Sequence, residues 1–341
     1  VRTRPADPRS TQAGALVAEL MPWKRALVFD PIPALLSSGQ EALVFWTQRQ
    51  LLGDETGSIE DLWELAEAQA LLRKQRIDGS WRYPGRVEPY NNYALLETFR
   101  SLRHLVVQFG LDRRHPAIAA AAEFVFSCQT AEGDLRGILG NQYMPYYHGA
   151  ILELLIRAGY ADDRRIMHGL DWLLTMRQDD GGWIVPTQAV PAGEKTRAYW
   201  QSAPVPPDRS LPFSHLATVM VLRGLVDHHR VGQRSEVRTA VRAFKRRLLT
   251  ADRYNDRRSV SYWTKFQYPY WWTDLINGLD VLAQVGYDDT DPDAARGLAW
   301  FLSNQDSDGL WTTGYGSGSR AEEHRLWVGY AICHVLTRFL K

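Results

Sequence analysis

The segment LDWLLTMRQDDGGW at residues 170–183 is echoed by LAWFLSNQDSDGLW at residues 298–311. Each is a helical pattern that runs into a glutamine, a glycine-bearing turn and a tryptophan. Diverged copies share the ending. ALLRKQRIDGSW carries Gln75, Gly79 and Trp81, and FVFSCQTAEGDL carries Gln129 and Gly133, with Leu135 in the tryptophan position. A more degenerate copy, AFKRRLLTADRYNDR, covers residues 243–257. The copies recur at roughly 50 residues, the period of a stacked or closed repeat array. Such a unit buries its apolar face only against its neighbours, so this period constrains the fold more than any single motif.

A second helical stretch precedes each ending. GAILELLIRAGYADDRR at 149–165 and DLINGLDVLAQVGYDDTD at 274–291 match best: both are apolar at helical spacing, and both stop at a Gly-Tyr with aspartates behind it. The spacing predicts six apolar helices, near 40–52, 91–107, 143–158, 213–228, 271–285 and 325–340. It predicts five amphipathic helices, near 59–75, 114–129, 163–177, 235–250 and 291–304, with 11–20 as a sixth. Apolar helices need cover on most sides, and amphipathic ones can face water. The economical fold is therefore all-α, an inner ring of parallel helices wrapped by an outer ring and closed. Residues 1–10 read as a polar tail and 11–341 as a single domain. Two longer connections interrupt the pattern, a proline-rich one at 184–212 and one rich in Tyr, Trp and Arg at 251–270.

A net charge of +1 over 341 residues argues against a nucleic-acid footprint or a broad attachment to anionic membranes. Lys245-Arg246-Arg247 reads as a solvated helix face. Cys128 and Cys333 support neither a disulfide framework nor a CxxC zinc site. No apolar run is long enough for a membrane-spanning helix. VRTRPADPRSTQ lacks the apolar core of a signal peptide, so a cytoplasmic location is expected.

Gly169, Trp172, Leu173, Gln178, Gly182 and Trp183 resemble the QW motif of the terpenoid cyclase and protein prenyltransferase superfamily. The resemblance covers about residues 40–340 and implies an (α/α)6 toroid, a double ring of helices. The repeated ending itself is expected to be structural. Glycine permits the left-handed turn that ends an outer helix, glutamine can cap exposed backbone groups, and tryptophan can stack over the turn. The acidic runs at Asp112, Asp162-Asp163 and Asp288–Asp293 stand just before outer helices and read as N-caps.

In a toroid the pocket is the central hole, reached from the starts of the inner helices. Those starts carry Tyr90-Asn91-Asn92-Tyr93, Tyr143–His148, Phe213-Ser214-His215, Tyr268–Asp274 and His324–Trp327. Aromatic faces suit an extended apolar ligand and stabilise cations through their quadrupoles. Tyr147, Tyr270, Trp271, Trp272 and Trp327, with Asn91 and Asn92, are therefore the expected substrate wall. Asp274 lies among aromatics that should raise its pKa, so it is the candidate acid, with His148 and His215 as partners. Arg257, Arg258 and Lys265 resemble in layout the stretch that binds isoprenoid diphosphate in the prenyltransferases.

The superfamily's standard sites are altered. The DxDD acid of class II cyclases has Pro89-Tyr90-Asn91-Asn92 as its counterpart, and asparagine cannot protonate an alkene. The zinc set of the prenyltransferases keeps Asp274, but Ile276 stands in the cysteine position and Trp327 about where the histidine would come. No DDxxD-type metal cluster occurs at an inner-helix start. No cofactor is expected, and a divalent metal is left open. The resemblance thus implies a protein that handles an isoprenoid, its diphosphate or a similar apolar substrate in an aromatic cavity, as a non-standard cyclase or lyase. Two alternatives stand beside it: a non-catalytic lipid-binding toroid that lost both standard sites, and a carbohydrate lyase or hydrolase. Peripheral membrane contact and a partner subunit stay open.

Overall fold

The computed structural model describes residues 21–254, 258–315 and 318–341. The expected tail at 1–10 and helix at 11–20 lie outside the described residues. Among the described residues the regular structure is helical and no extended strand occurs.

Two short helices, α1 (Pro22–Arg25) and α2 (Ile32–Leu36), lead into the apolar set. That set comprises α3 (Glu41–Trp46, continued by a π-helical turn Thr47–Leu52), α5 (Tyr93–Val107), α7 (Pro145–Leu155, continued by a π-helical turn Ile156–Tyr160), α10 (His215–Asp227), α12 (Leu275–Gln284) and α14 (Ser319–Phe339). The amphipathic set is α4 (Ala66–Leu72, after a 3-10 turn Ile59–Glu64), α6 (Pro116–Ser127), α8 (Arg164–Thr175), α11 (Ser235–Lys245) and α13 (Pro292–Ser303). A further short helix, α9 (Arg197–Gln201), lies within the proline-rich connection.

Burial separates the two kinds. Every residue of α7 from Pro145 to Leu155 is buried, as is α10 from His215 to Leu225. In α8 burial falls on Ile166, Gly169, Leu170, Trp172 and Leu173, one helical stripe. The apolar helices pack in chain order: α5 on α7, α7 on α10, α10 on α12, α12 on α14, and α14 on the π-helical turn after α3 and on α1 and α2. The amphipathic helices cover them, with α6 on α5, α8 on α7, α11 on α10 and α12, and α13 on α12. The tightest approach, α7 against α10, depends on two glycines. A Cβ on Gly149 would lie 2.7 Å from the Val221 Cα, and one on Gly224 2.5 Å from the Gly149 carbonyl oxygen.

The repeated ending is a hydrogen-bonding device. The indole N–H donates to the carbonyl ten residues upstream in three copies: Trp81 to Leu71 (2.8 Å), Trp183 to Leu173 (2.7 Å) and Trp311 to Phe301 (2.8 Å). The glutamine amide bridges its own turn and the next structural unit. Gln75 donates to Gly79 and Ala117, Gln129 to Gly133 and Arg165, and Gln305 to Gly309 and Phe29. Gly79, Gly133, Gly181 and Gly309 supply the positive φ of the turn. In the third copy Gln178 stands one residue closer to its tryptophan, and its amide reaches instead to Asp208 and Leu211.

Asp163 and Asp291 accept from backbone N–H groups at the starts of α8 and α13. Asp112 accepts from the Arg114 N–H, while His115 is the cap of α6. The degenerate copy departs most from expectation. α11 ends at Lys245, and the chain turns through Leu249 at a φ of 61°. The carbonyl of Thr250 is taken by the Trp263 indole, 13 residues downstream. α14 starts at Ser319, more than one and a half turns before the expected 325.

Candidate functional site

The interior of the apolar helices is not uniformly apolar. Glu153 of α7 and Arg223 of α10 are 1% and 3% exposed and pair with each other. Arg157 lies 3.1 Å from Glu153 and 2.8 Å from Asp227. Asp280 of α12 pairs with Arg338 of α14 and accepts from Gln284 at 3.0 Å. Buried ions must be paired and hydrogen-bonded to be tolerated, and these pairs tie α7 to α10 and α12 to α14.

Part of this charged belt faces a cavity of about 220 Å³. Its wall combines Arg157, Asp280, His334 and Arg338 with the aromatic faces of Trp46, Tyr268, Tyr270 and Tyr330. Burial pushes the phenols of Tyr268, Tyr270 and Tyr330 up, so all three stay protonated. Burial, with the charge of Arg338, brings His334 down to about 4, leaving a neutral ring. Tyr330 donates to the Gln50 side chain. The hydroxyls of Tyr268 and Tyr270 have no hydrogen-bond partner among the described residues. The arrangement offers neutral donors, two guanidinium groups and one carboxylate against aromatic faces.

The segment before α12 fills the space beside this cavity. Trp271 stacks on Phe99 (5.1 Å, 28°) and lies 4.6 Å under the Arg103 guanidinium, which donates to the Pro269 carbonyl at 2.9 Å. Burial and the like charges of Arg223 and Arg100 bring Arg103 down to about 9. Trp272 stacks on Tyr146 (6.0 Å, 20°), and Tyr147 packs against both tryptophans. Of the expected substrate wall, Tyr270 therefore faces the cavity, while Tyr147, Trp271 and Trp272 pack against one another. Trp327 stacks on Tyr268 (5.8 Å, 17°) and donates to Gln40 at 2.8 Å. It lines a second cavity of about 270 Å³, so the Trp327–Tyr268 pair divides the two spaces.

The three candidate catalytic residues lie in separate bonded settings. Asp274 is 2% exposed and is the N-cap of α12 in a reciprocal capping box: its carboxylate accepts from the Asn277 N–H (3.0 Å), and the Asn277 side chain accepts from the Asp274 N–H (3.2 Å). Its second oxygen accepts from the Gln267 N–H at 3.2 Å. Burial outweighs these bonds and raises the carboxyl to about 7. His148 accepts from the Leu135 N–H at 3.0 Å and donates to the Gly169 carbonyl at 3.0 Å. Burial brings it to about 4. His215 starts α10 with its Nε2 3.6 Å from Asp252. None of the three lines either cavity.

Asn91 accepts from the Gly140 N–H, and Asn92 caps α5 through the Leu95 N–H. Lys265 lies 4.7 Å from the Tyr262 ring, and Arg258 is exposed. Arg257 lies outside the described residues. Among the described residues no three His, Cys, Asp or Glu side chains gather as metal ligands. Among them, too, no helix is long and apolar enough to cross a membrane.

The charged belt is absent from the expectations above, which concern helix starts. The sequence does carry a signal for it. Glu153 and Asp280 each stand six residues before the glycine that stops their helix, Gly159 and Gly286, and His104 stands six before Gly110. A polar residue recurring six residues before the stop glycine marks an interior position.

No family model matches the chain, and no curated protein matches it. Among solved structures, a protein from Actinoplanes aligns with 82% of this chain and 87% of its own, at 16% identity and a TM-score of 0.42.

Proposed function

We propose that the chain is a divergent member of the terpenoid cyclase and protein prenyltransferase superfamily. In this reading it is an (α/α)6 toroid whose central cavity holds a short isoprenoid with an anionic head group. The observation that carries this reading is the mixed wall of the 220 Å³ cavity, where four aromatic faces adjoin Arg157 and Arg338. Aromatic faces suit an isoprenyl chain, and guanidinium groups suit phosphate or carboxylate. The volume falls below the roughly 300–1,000 Å³ of common ligand pockets, which favours a short chain over a long one. The repeated Gln-Gly-Trp ending and the chain-order packing of the apolar helices support the toroid. Turnover, as a non-standard cyclase or lyase, would use the groups in the wall. Asp280 and the protonated tyrosines are the nearest proton carriers.

The unpartnered hydroxyls of Tyr268 and Tyr270 and the neutral His334 favour a second reading, a carbohydrate-directed protein. Such groups bond sugar hydroxyls, and the aromatic faces stack on sugar rings.

Native mass spectrometry with extraction of bound small molecules tests both. The first reading expects a short isoprenyl phosphate or carboxylate to co-purify. It also expects a raised Tm with isoprenyl phosphates that Arg338→Gln reduces. An empty protein whose Tm responds to uronate oligosaccharides alone would transfer the cavity to the second reading. No response to either class would sink both.

A further inference from the structure

The second cavity, of about 270 Å³, lies between the start of α3, α4, the end of α5 and α14. Its apolar surface comes from Trp327, Phe109, Leu65 and Leu71. Around it stand Glu41, Glu67 and Glu323, all exposed and none ion-paired among the described residues. No lysine or arginine is among its lining residues. The one basic side chain there is His104, which burial and the neighbouring Arg103 bring down to about 4. That histidine is neutral at ordinary pH, so three carboxylates face an aromatic cavity without a compensating cation. Carboxylates around an indole face favour a positive ligand twice, by Coulomb attraction and by the ring quadrupole.

A second observation lies deeper. Gln108 is 8% exposed, and its side-chain amide oxygen Oε1 is 2.6 Å from His104 Nδ1. A neutral ring that donates from Nδ1 presents Nε2 as an acceptor. Neither that nitrogen nor the terminal NH2 of Gln108 has a partner among the described residues, and both side chains line the cavity. Both groups open onto the cavity, His104 half-buried and Gln108 nearly fully buried. Here an acceptor and a donor wait side by side.

We propose that this cavity binds an organic ammonium with an apolar body and an adjacent oxygen, the chemistry of an amino alcohol. The ammonium donates to His104 Nε2 within the field of the three glutamates. The neighbouring oxygen accepts from Gln108, and the apolar body lies on Trp327 and Phe109. This site is separate from the central cavity and does not rest on the reading of that cavity.

Isothermal titration of the full chain with phenylalaninol, against its uncharged counterpart 3-phenylpropanol, tests the proposal without any variant. Phenylalaninol should bind at least about tenfold tighter, and added salt should narrow the gap. Replacing all three glutamates (E41Q, E67Q and E323Q) should remove about a tenfold preference or more. These side chains are exposed, so the Tm should hold. Equal binding of the two compounds, no binding of phenylalaninol, or an unchanged preference in the folded triple variant would each overturn the assignment.

Discussion

Asp274 shows how one carboxyl can be both cap and burden. Its bonds fix the first turn of α12, yet burial holds it near 7 against an ordinary 3.8. Between those values the folded chain keeps a proton that the unfolded chain releases. Stability from this group is therefore full below about pH 4 and is lost as pH rises towards 7. A shift of this size corresponds to roughly 4 kcal/mol across the window. Asp274→Asn keeps an acceptor for the Asn277 N–H and removes the titration. Urea midpoints from pH 4 to 8 should converge, with the wild type losing its advantage as pH rises. A constant difference between the two proteins would refute this account. The sequence alone pointed to a raised pKa, because the aromatic neighbours of Asp274 are adjacent in the chain. It did not reveal that the position is walled in, since the packing of Trp271 on Phe99 joins segments 172 residues apart.

At the scale of elements, the turns after α4, α6, α8 and α13 were legible, because their glutamine and glycine recur nearly in register, with tryptophan in three of the four. Their physics is local for tryptophan and long-range for glutamine. Trp183→Phe removes one buried indole bond to Leu173 and should cost about 1 kcal/mol. Gln305→Ala should cost more, about 1–3 kcal/mol, since its side chain accepts from the Val28 and Phe29 N–H groups and donates to the Phe29 and Gly309 carbonyls. Equilibrium denaturation of the two variants ranks them, and equal losses would mean that the glutamine contacts contribute nothing beyond the turn. Helix ends were less legible. The end of α11 at Lys245 follows from a turn through Leu249 and from a tryptophan brought back across a loop, neither of which a periodic pattern encodes.

The whole molecule carries its charge inside as well as outside. Truncating Glu153 leaves Arg223 buried and Arg157 with Asp227 alone. Glu153→Ala should cost about 3–5 kcal/mol, whereas a double change to apolar residues, Glu153→Leu with Arg223→Met, should recover much of that loss. Thermal unfolding of the single and double variants decides the matter. If the double variant is no more stable than the single, the pair is not the unit of stability. The all-helical class was legible from periodicity, but the belt was legible only in part: Glu153 and Asp280 recur at one depth before Gly159 and Gly286, whereas Arg157, Arg223 and Arg338 keep no such register.

The contact of Gln305 with Phe29 joins the last of the repeated turns to a segment near the first described residues. The final turn receives residues 28 and 29 where the first two turns receive the next outer helix, and Gly309 has room for Asp30 and Pro31 but no Cβ. An open array grows or shrinks through tandem duplication, one unit at a time, because its last member faces only solvent. Here the last of the turns is already occupied by residues 28 and 29. An extra unit inserted between residue 29 and Gln305 would have to preserve that contact or forfeit its bonds, a constraint that an open array does not carry.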